Sequence, residues 1–587
     1  MKETETIKNR VLSELEDAFS IYISEDRPEL KGSDFRIRLE YSRNEKFGDY
    51  SSSAALENKN LLGNPVHAAE AIVKRLKNRS FFSDVNFTPP GFINFRISET
   101  ALSEYLKGIL QNEDFRFPKT GNPEKIIFEF VSANPTGPLN IVSARAGAAG
   151  DSICSLLERI GHSVQREFYV NDYGNQVFLL GVSCVLRLLE WKKGAVIKFQ
   201  EKDDGRSIEE LLNSGTMPSE AYRGEYIADI AKYAYSKNEK EIEAFLSQNR
   251  LMDLAEKYSR WAVEYNLSLQ KQDLENFGIR FDQFFSERTL HESGKVLSVL
   301  KGLEEKNVIY MEDGKKVFAS TKYGDDKDRV VLREDGRPTY LLADIAYHKS
   351  KMDRGFKKML NIWGPDHHGY IARLHGAVQA LGYPDEAFRV LIAQQVNLLS
   401  KGEVVKMSKR LGRFQTMKDL TEFLGKDSRD LGRYFFVLRA LETHLDFDLD
   451  LAKEESDKNP VYYLQYAHAR IRSIFRTAET EGDFESFQSL KKTEERERLM
   501  FWCARFPEEV YDAAQSMEPH RLCVYLQNLA KTFSKFYIAK DNKIIEKNDT
   551  EKRGLAFLCS VTAMCLKEGL AILGISAPEI MERQVQE

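Results

Sequence analysis

Cysteine is scarce. Six in 587 residues (Cys154, Cys184, Cys503, Cys523, Cys559 and Cys565) form neither a CxxC pair nor a cluster beside histidines. That excludes a disulfide framework and gives no zinc-ligand spacing, so no protein-bound metal is expected. Long apolar runs are missing as well, since no stretch approaches the ~18–20 unbroken residues of a membrane span. The opening MKETETIKNRVLSELEDAFS is interrupted throughout by acids, which marks an amphipathic helix and not a signal peptide. No internal repeat or low-complexity tract occurs. Neither sign of charge dominates: the formal net charge is -5, from 85 Lys+Arg against 90 Asp+Glu. That balance argues against attachment to nucleic acid by bulk charge and leaves local basic patches open. The expectation is a cytoplasmic protein without membrane contact.

What is present suffices for packed cores, at 42% hydrophobic residues, and 587 residues imply several domains because one core stops growing at roughly 250–300. Residues 1–115 read as a small α+β module, with helical periodicity at Ile7 to Tyr22 and Pro65 to Leu76 and a β pattern in PPGFINFRI. PKTGNPEK marks a linker. Over 122–400 strand and helix patterns alternate, which predicts a parallel sheet. The β runs are IIFEFV (126–131), HSVQREFYV (162–170), MLNIWG (359–364) and FRVLIAQQV (388–396); a helix covers Ala144 to Ile160, and a charged helical insertion occupies about 185–290. A connecting segment fills 401–450. The stretch 451–587 shows helical periodicity alone, opening with Asn459 as cap and Pro460 in the first turn. The fold class is α/β multidomain: a Rossmann-type parallel-sheet domain between an N-terminal α+β module and a C-terminal all-α domain.

Two segments carry chemistry. In Glu129-Phe-Val-Ser-Ala-Asn-Pro-Thr-Gly-Pro-Leu-Asn-Ile-Val-Ser a strand runs through a Pro/Gly turn into a helix of small residues. This puts a helix N-terminus, with free N–H groups, at the carboxyl edge of a parallel sheet, where phosphates bind. Alone, an ordinary βα connection fits equally well. In Val405-Lys406-Met407-Ser408-Lys409-Arg410 two lysines bracket a short loop suited to a departing polyphosphate. Alone, a solvated charged turn is the commoner case; on one sheet domain, the pair favours nucleotide chemistry.

Together the two segments resemble the signature motifs of class I aminoacyl-tRNA synthetases. The surrounding text resembles bacterial arginyl-tRNA synthetases along nearly the whole chain: FGDYSSSAA and PPGFINF, REFYVNDYGNQV (166–177), WGPDHHGYIARLHGAVQALGY (363–383), NPVYYLQYAHARIRSI (459–474) and SAPEIMERQ. The resemblance implies ATP-dependent arginylation of tRNA(Arg), with Mg2+ accompanying ATP, by a monomer whose activation step needs bound tRNA. It implies arginine contacts at Glu129, Ser132, Asn134, Tyr340, Asp344 and His368. ATP would meet Pro135, Thr136, Gly137, Asn140, Ser143, Asp366, His367, Met407 and Ser408, with Lys406, Lys409, Asn140 and Ser143 acting in catalysis. The helical domain would bind the anticodon region, with Tyr462, Tyr466 and Arg470 offering stacking faces and charge.

Tyr340 and Asp344 stand four apart, hence on one helix face. Carboxylates there can bind a planar guanidinium bidentately and reject lysine or citrulline by ~10⁴–10⁵ without an editing domain. Glu129 inside an apolar strand needs a buried partner. One departure stands out. Most relatives begin the helix His-x-Gly-His, where this chain has Asn140, Ile141, Val142 and Ser143. The loss of one preorganised donor costs ~10²–10³ in rate, so a tRNA-binding paralogue with weakened arginine activation is the alternative. The intact Lys-Met-Ser-Lys segment and arginine positions favour the ligase.

Overall fold

A computed structural model describes residues 6–405 and 416–581, in two compact units. One comprises Glu124–Cys154 and Ser163–Ala452; the other gathers the chain up to Pro123, the segment Ser155–His162 and everything from Lys453 onward.

The first unit is built on five parallel strands: β1 (Lys125–Glu129), β2 (Ser163–Val170), β3 (Gln283–Ser286), β4 (Lys358–Trp363) and β5 (Phe388–Ile392). Their order is β5-β4-β1-β2-β3. β1 lies inside, and Ile126, Ile127 and Phe128 are buried, the near-continuous apolar run that a parallel sheet covered on both faces requires. The order reverses between β1 and β4, so the crevice beyond their carboxyl ends is where such a sheet binds ligands. Helix α1 (Ile141–Arg159) follows β1. Its small residues are a packing necessity: a Cβ on Gly150 would stand 2.4 Å from the Phe130 ring.

The insertion after β2 consists mainly of α2 (Asn175–Lys193), α3 (Tyr226–Ser247) and α4 (Leu251–Asn276), closed on each other through Leu180, Val185, Ile230, Leu254 and Tyr258. Gln283–Ser286, within the stretch expected to be helical insertion, is instead the sheet's edge strand β3. Four residues are too few for a periodicity to declare itself; pairing with β2 decides them. Helix α5 (Tyr340–Asp353) precedes β4, and α6 (His368–Ala380) follows it.

In the second unit a four-stranded antiparallel sheet (Glu40–Tyr41, Tyr50–Ser52, Phe92–Ile97, Phe82–Thr88, in that order) is joined by the helices Ile7–Asp26 and Pro65–Leu76. The C-terminal part is helical, and Asn459 caps Pro460–Ala478 by accepting from the Val461 N–H, with proline in the first turn. Asp549–Ile572 is long and apolar enough to cross a membrane, yet 72% of its apolar window is buried in the bundle.

Glu508 ties this unit together. Its buried carboxylate accepts from the Tyr41 hydroxyl at 2.6 Å, the Tyr50 hydroxyl at 2.8 Å and the Lys8 N–H at 2.7 Å. Burial pushes it up to about 7, against the pull of those donors. Because the folded value lies above the unfolded one, its stability contribution is present below the unfolded value and is lost as pH rises through about 7. Thermal melts between about pH 5 and 8 should therefore show the wild-type protein losing more stability than Glu508→Gln; equal slopes would remove this carboxyl from the account.

Candidate active site

At the carboxyl end of β1, Glu129 is buried and has its partner: Oε2 accepts from Lys351 Nζ at 2.6 Å and from Asn361 Nδ2 at 2.8 Å, while Ser132 Oγ donates to Oε1 at 3.1 Å. The Lys351 side chain is 0% exposed. It comes from α5 and Asn361 from the neighbouring β4, so the switch point of the sheet is locked by three elements. The backbone then turns sharply: Val131 and Ser132 take φ of 70° and 41°, left-handed values that a β-branched residue reaches only at a cost of order 1–3 kcal/mol.

The strained turn is held from outside. Gln270 Nε2 donates to the carbonyls of Asn134 (3.1 Å) and Gly137 (2.7 Å), Asn266 Nδ2 to that of Pro135 (3.0 Å), and the Tyr226 hydroxyl to that of Thr136 (3.0 Å). Four consecutive carbonyls are thus fixed by side chains of α3 and α4. Nothing in the sequence singled out these residues. The exposed Asn134 side chain donates to Gln176 Oε1 at 2.9 Å.

Asn140 and Ser143 meet each other at the start of α1. Asn140 Oδ1 accepts from the Ser143 N–H at 2.8 Å and from Ser143 Oγ at 3.0 Å. This is a cap: the asparagine satisfies one of the helix's free donors. The Ser143 hydroxyl and amide are thereby both engaged. Backbone pairing of Asn140 with Thr416, and the Met417 N–H on the Leu139 carbonyl at 2.8 Å, join this turn to the chain that follows the Lys-Met-Ser-Lys sequence. Lys406, Met407, Ser408 and Lys409 lie outside the described residues.

Carboxylates converge on the other wall. Tyr340 opens α5 and is 65% exposed; Asp344 sits one turn on, half-buried. Tyr340, Asp344, Tyr347 and Lys351 follow one another at helical spacing, a polar stripe on an otherwise buried helix. Asp344 Oδ2 accepts from the Tyr370 hydroxyl at 2.5 Å. Burial, partly opposed by that O–H, pushes the Asp344 carboxyl up to about 7, and the charges of Glu287 and Glu129 add to the rise. Tyr169 faces the same acids: burial first, then Glu287, Asp344 and Glu129, hold its hydroxyl well above the usual range. Glu287, buried at the end of β3, was missed by sequence reasoning. Its signal was an apolar strand, QFFS, ending in an acid, the pattern that marks Glu129. Glu167, one strand over, is paired with Arg354 and accepts from the Tyr347 hydroxyl at 2.7 Å.

Asp366, His367 and His368 are exposed at the carboxyl end of β4, where α6 presents a second helix N-terminus to the crevice. A cavity of about 600 Å³ opens there, lined by Asp325, Arg329, Asp366, His367, Tyr370 and Arg373. Tyr462, Tyr466 and Arg470 belong to the other unit. The two tyrosines are half-buried and parallel, with ring centroids 6.1 Å apart, and the Arg470 guanidinium lies 4.3 Å from the Tyr537 ring. Beside them is a cavity of about 420 Å³ that also includes Arg476 and Ile545.

The family model described as "tRNA synthetases class I (R), catalytic domain" matches residues 105–431. "Arginyl tRNA synthetase N terminal domain" matches 5–97, and "DALR anticodon binding domain" matches 464–581. The chain is 56% identical over 588 residues to an arginine–tRNA ligase of Leptospira interrogans (serogroup Icterohaemorrhagiae, serovar Lai, strain 56601), covering 100% of both. It is 54% identical over 598 residues to an arginine–tRNA ligase of Leptospira biflexa (serovar Patoc, strain Patoc 1 / Ames), covering 100% of this chain and 99% of that one. The fold is shared with the solved Thermus thermophilus arginyl-tRNA synthetase, at a TM-score of 0.74 and 21% identity over 98% of this chain and 100% of that chain. Identity at this level, end to end and across all three domain types, makes the chain a member of the arginyl-tRNA synthetase family.

Proposed function

We propose that this chain is an arginine–tRNA ligase that uses ATP to activate L-arginine and transfers it to the 3′ end of tRNA(Arg). The observation that carries the residue assignment is the convergence of Asp344, Glu287 and the Lys351-neutralised Glu129 beside a helix N-terminus at the sheet's switch point. In the first step a carboxylate oxygen of arginine attacks the α-phosphorus of Mg-ATP; the bond to the β-phosphate breaks and pyrophosphate leaves. In the second, the terminal ribose 2′-hydroxyl attacks the arginyl carbonyl, a base takes the hydroxyl proton and AMP departs.

Asp344 and Tyr340 hold the guanidinium in this assignment, with Glu287 adding negative charge beside it. Ser132, Asn134 and His368 serve the amino acid's polar end near Glu129, whose own charge Lys351 already answers. Pro135, Thr136, Gly137, Asp366 and His367 shape the ATP site, and Mg2+ arrives with the triphosphate. The N-terminus of α1, capped by Asn140 through Ser143, faces the phosphates. Lys406 and Lys409, flanking Met407 and Ser408, stabilise the leaving pyrophosphate. Residues 122–450 perform the chemistry, 1–115 and 451–587 bind tRNA, and Tyr462, Tyr466 and Arg470 stack on the anticodon region. The enzyme acts as a cytoplasmic monomer without membrane contact.

Arginylation of cognate tRNA by the purified chain with Mg-ATP tests this, beside Asn140→His/Ser143→His. Charging above background is expected, and the double variant measures what the altered motif costs in rate. Because it also removes the cap, it should lose about 1 kcal/mol of stability. No charging with tRNA still bound would sink the ligase assignment.

Gln270→Leu tests the loop. Leaving the Asn134 and Gly137 carbonyls without their donor costs ~1–3 kcal/mol, and the KM for ATP should rise by roughly tenfold or more while tRNA affinity holds. An unchanged KM for ATP would show that the turn keeps its shape without the clamp.

A further inference from the structure

Asp344 is held on one side only. The Tyr370 hydroxyl, from α6, donates to Oδ2 at 2.5 Å, and among the described residues nothing donates to Oδ1. Over the Tyr370 ring lies the guanidinium of Arg373, 4.9 Å from the centroid. Arg373 is loosely bound elsewhere. Its nearest acid is Asp325 Oδ2 at 3.8 Å, and Arg329 already engages both oxygens of that carboxylate at 2.8 and 2.9 Å. Its buried Nε has no hydrogen-bond partner. A cation over a phenol ring draws charge from it and strengthens the O–H as a donor.

We propose that Tyr370, polarised by Arg373, is a positioning residue that sets the specificity of the arginine pocket: it pins one oxygen of Asp344 so that the carboxylate plane is ready for a planar, forked cation. The proposal rests on the assignment of Asp344 as the guanidinium's partner. A freely turning carboxylate serves a point-charge ammonium as well as a pinned one does. A guanidinium needs two parallel bonds and hence a fixed plane, so the hydroxyl favours arginine over lysine. Other groups around Asp344 set its charge state but do not orient it. Glu129 and Glu287 face it from the ends of β1 and β3, Lys351 from its own helix, and the Tyr169 phenol from β2. His348, held well below its usual range by burial, meets Asp344 at its backbone carbonyl, 2.9 Å away, and not at its carboxylate.

The test is Tyr370→Phe in the full-length enzyme, with steady-state arginylation across pH and lysine as a competitive inhibitor. The KM for arginine should rise roughly ten- to a hundredfold, as loss of a hydrogen bond to a charged group predicts, with a smaller change in kcat. The Ki for lysine should move less, so discrimination narrows. The pH above which the KM levels off should shift upward, because the O–H that favours the ionised carboxylate is gone. Arg373→Met should move the same quantities in the same direction by less, and Arg373→Lys should restore part of the loss. Asp344→Asn separates the two claims. If it leaves the KM for arginine unaltered, the assignment of the pocket fails and takes the proposal with it. If it raises that KM while Tyr370→Phe changes neither the KM, the pH inflection nor the lysine ratio, the proposal alone is overturned.

Discussion

Asp344→Asn should raise the KM for arginine by roughly 10²–10³-fold, the usual cost of truncating one partner of a desolvated charge pair. The wild-type enzyme should show why the charge matters. The Asp344 carboxyl is pushed up to about 7 by burial and by the neighbouring Glu287 and Glu129. Below that value the group is protonated, and binding a guanidinium requires the proton to leave. The KM for arginine should therefore fall as pH rises through about 7 and level off above it. In Asp344→Asn the inflection should vanish. Initial rates of tRNA arginylation at saturating ATP and tRNA, taken across pH for both proteins, give the answer. A wild-type KM flat through this window would mean that Asp344 is ionised in the free enzyme or does not meet the guanidinium.

Glu129→Gln should be the most damaging substitution for the fold. Lys351 is 0% exposed, and Glu129 is the acid that its ammonium meets, at 2.6 Å. Breaking a buried pair from one side strands the other charge at about 3–5 kcal/mol. Denaturant unfolding should register most of that. Glu129→Gln/Lys351→Met, which removes both charges, should recover a large part of the stability without recovering arginylation, because the acid at the crevice is still missing. A double variant no more stable than the single one would show that the penalty does not come from the stranded ammonium.

The chain's local grammar was legible wherever one element decides its own form. The run Ile126-Ile127-Phe128 reads as a strand and is one, ending at Glu129 and not at Val131; Asn459-Pro460 opens its helix, and Tyr340 and Asp344 share a face of α5. Periodicity, caps and breakers act over a few residues, so a single sequence carries them. The same holds for the acidic character of this edge, since Glu129 and Asp344 are carboxylates whatever they meet.

What stayed hidden depended on which distant segments the sheet order brings together. Lys351 meets Glu129 across 222 positions because α5 packs over β1, and Gln270 reaches Asn134 across 136 because the insertion folds back on the turn. Glu287 joins the acids because β3, four residues long, pairs with β2 instead of continuing the insertion's helices. Asn140, read as a stand-in for a catalytic histidine, caps its own helix through Ser143. By itself the sequence determined most of the longer elements and the domain types, because these follow from short-range propensity and side-chain type. Only the tertiary structure decided which residues face one another and which carboxylate is already paired with a buried ammonium, because burial and pairing are properties of strand order and packing.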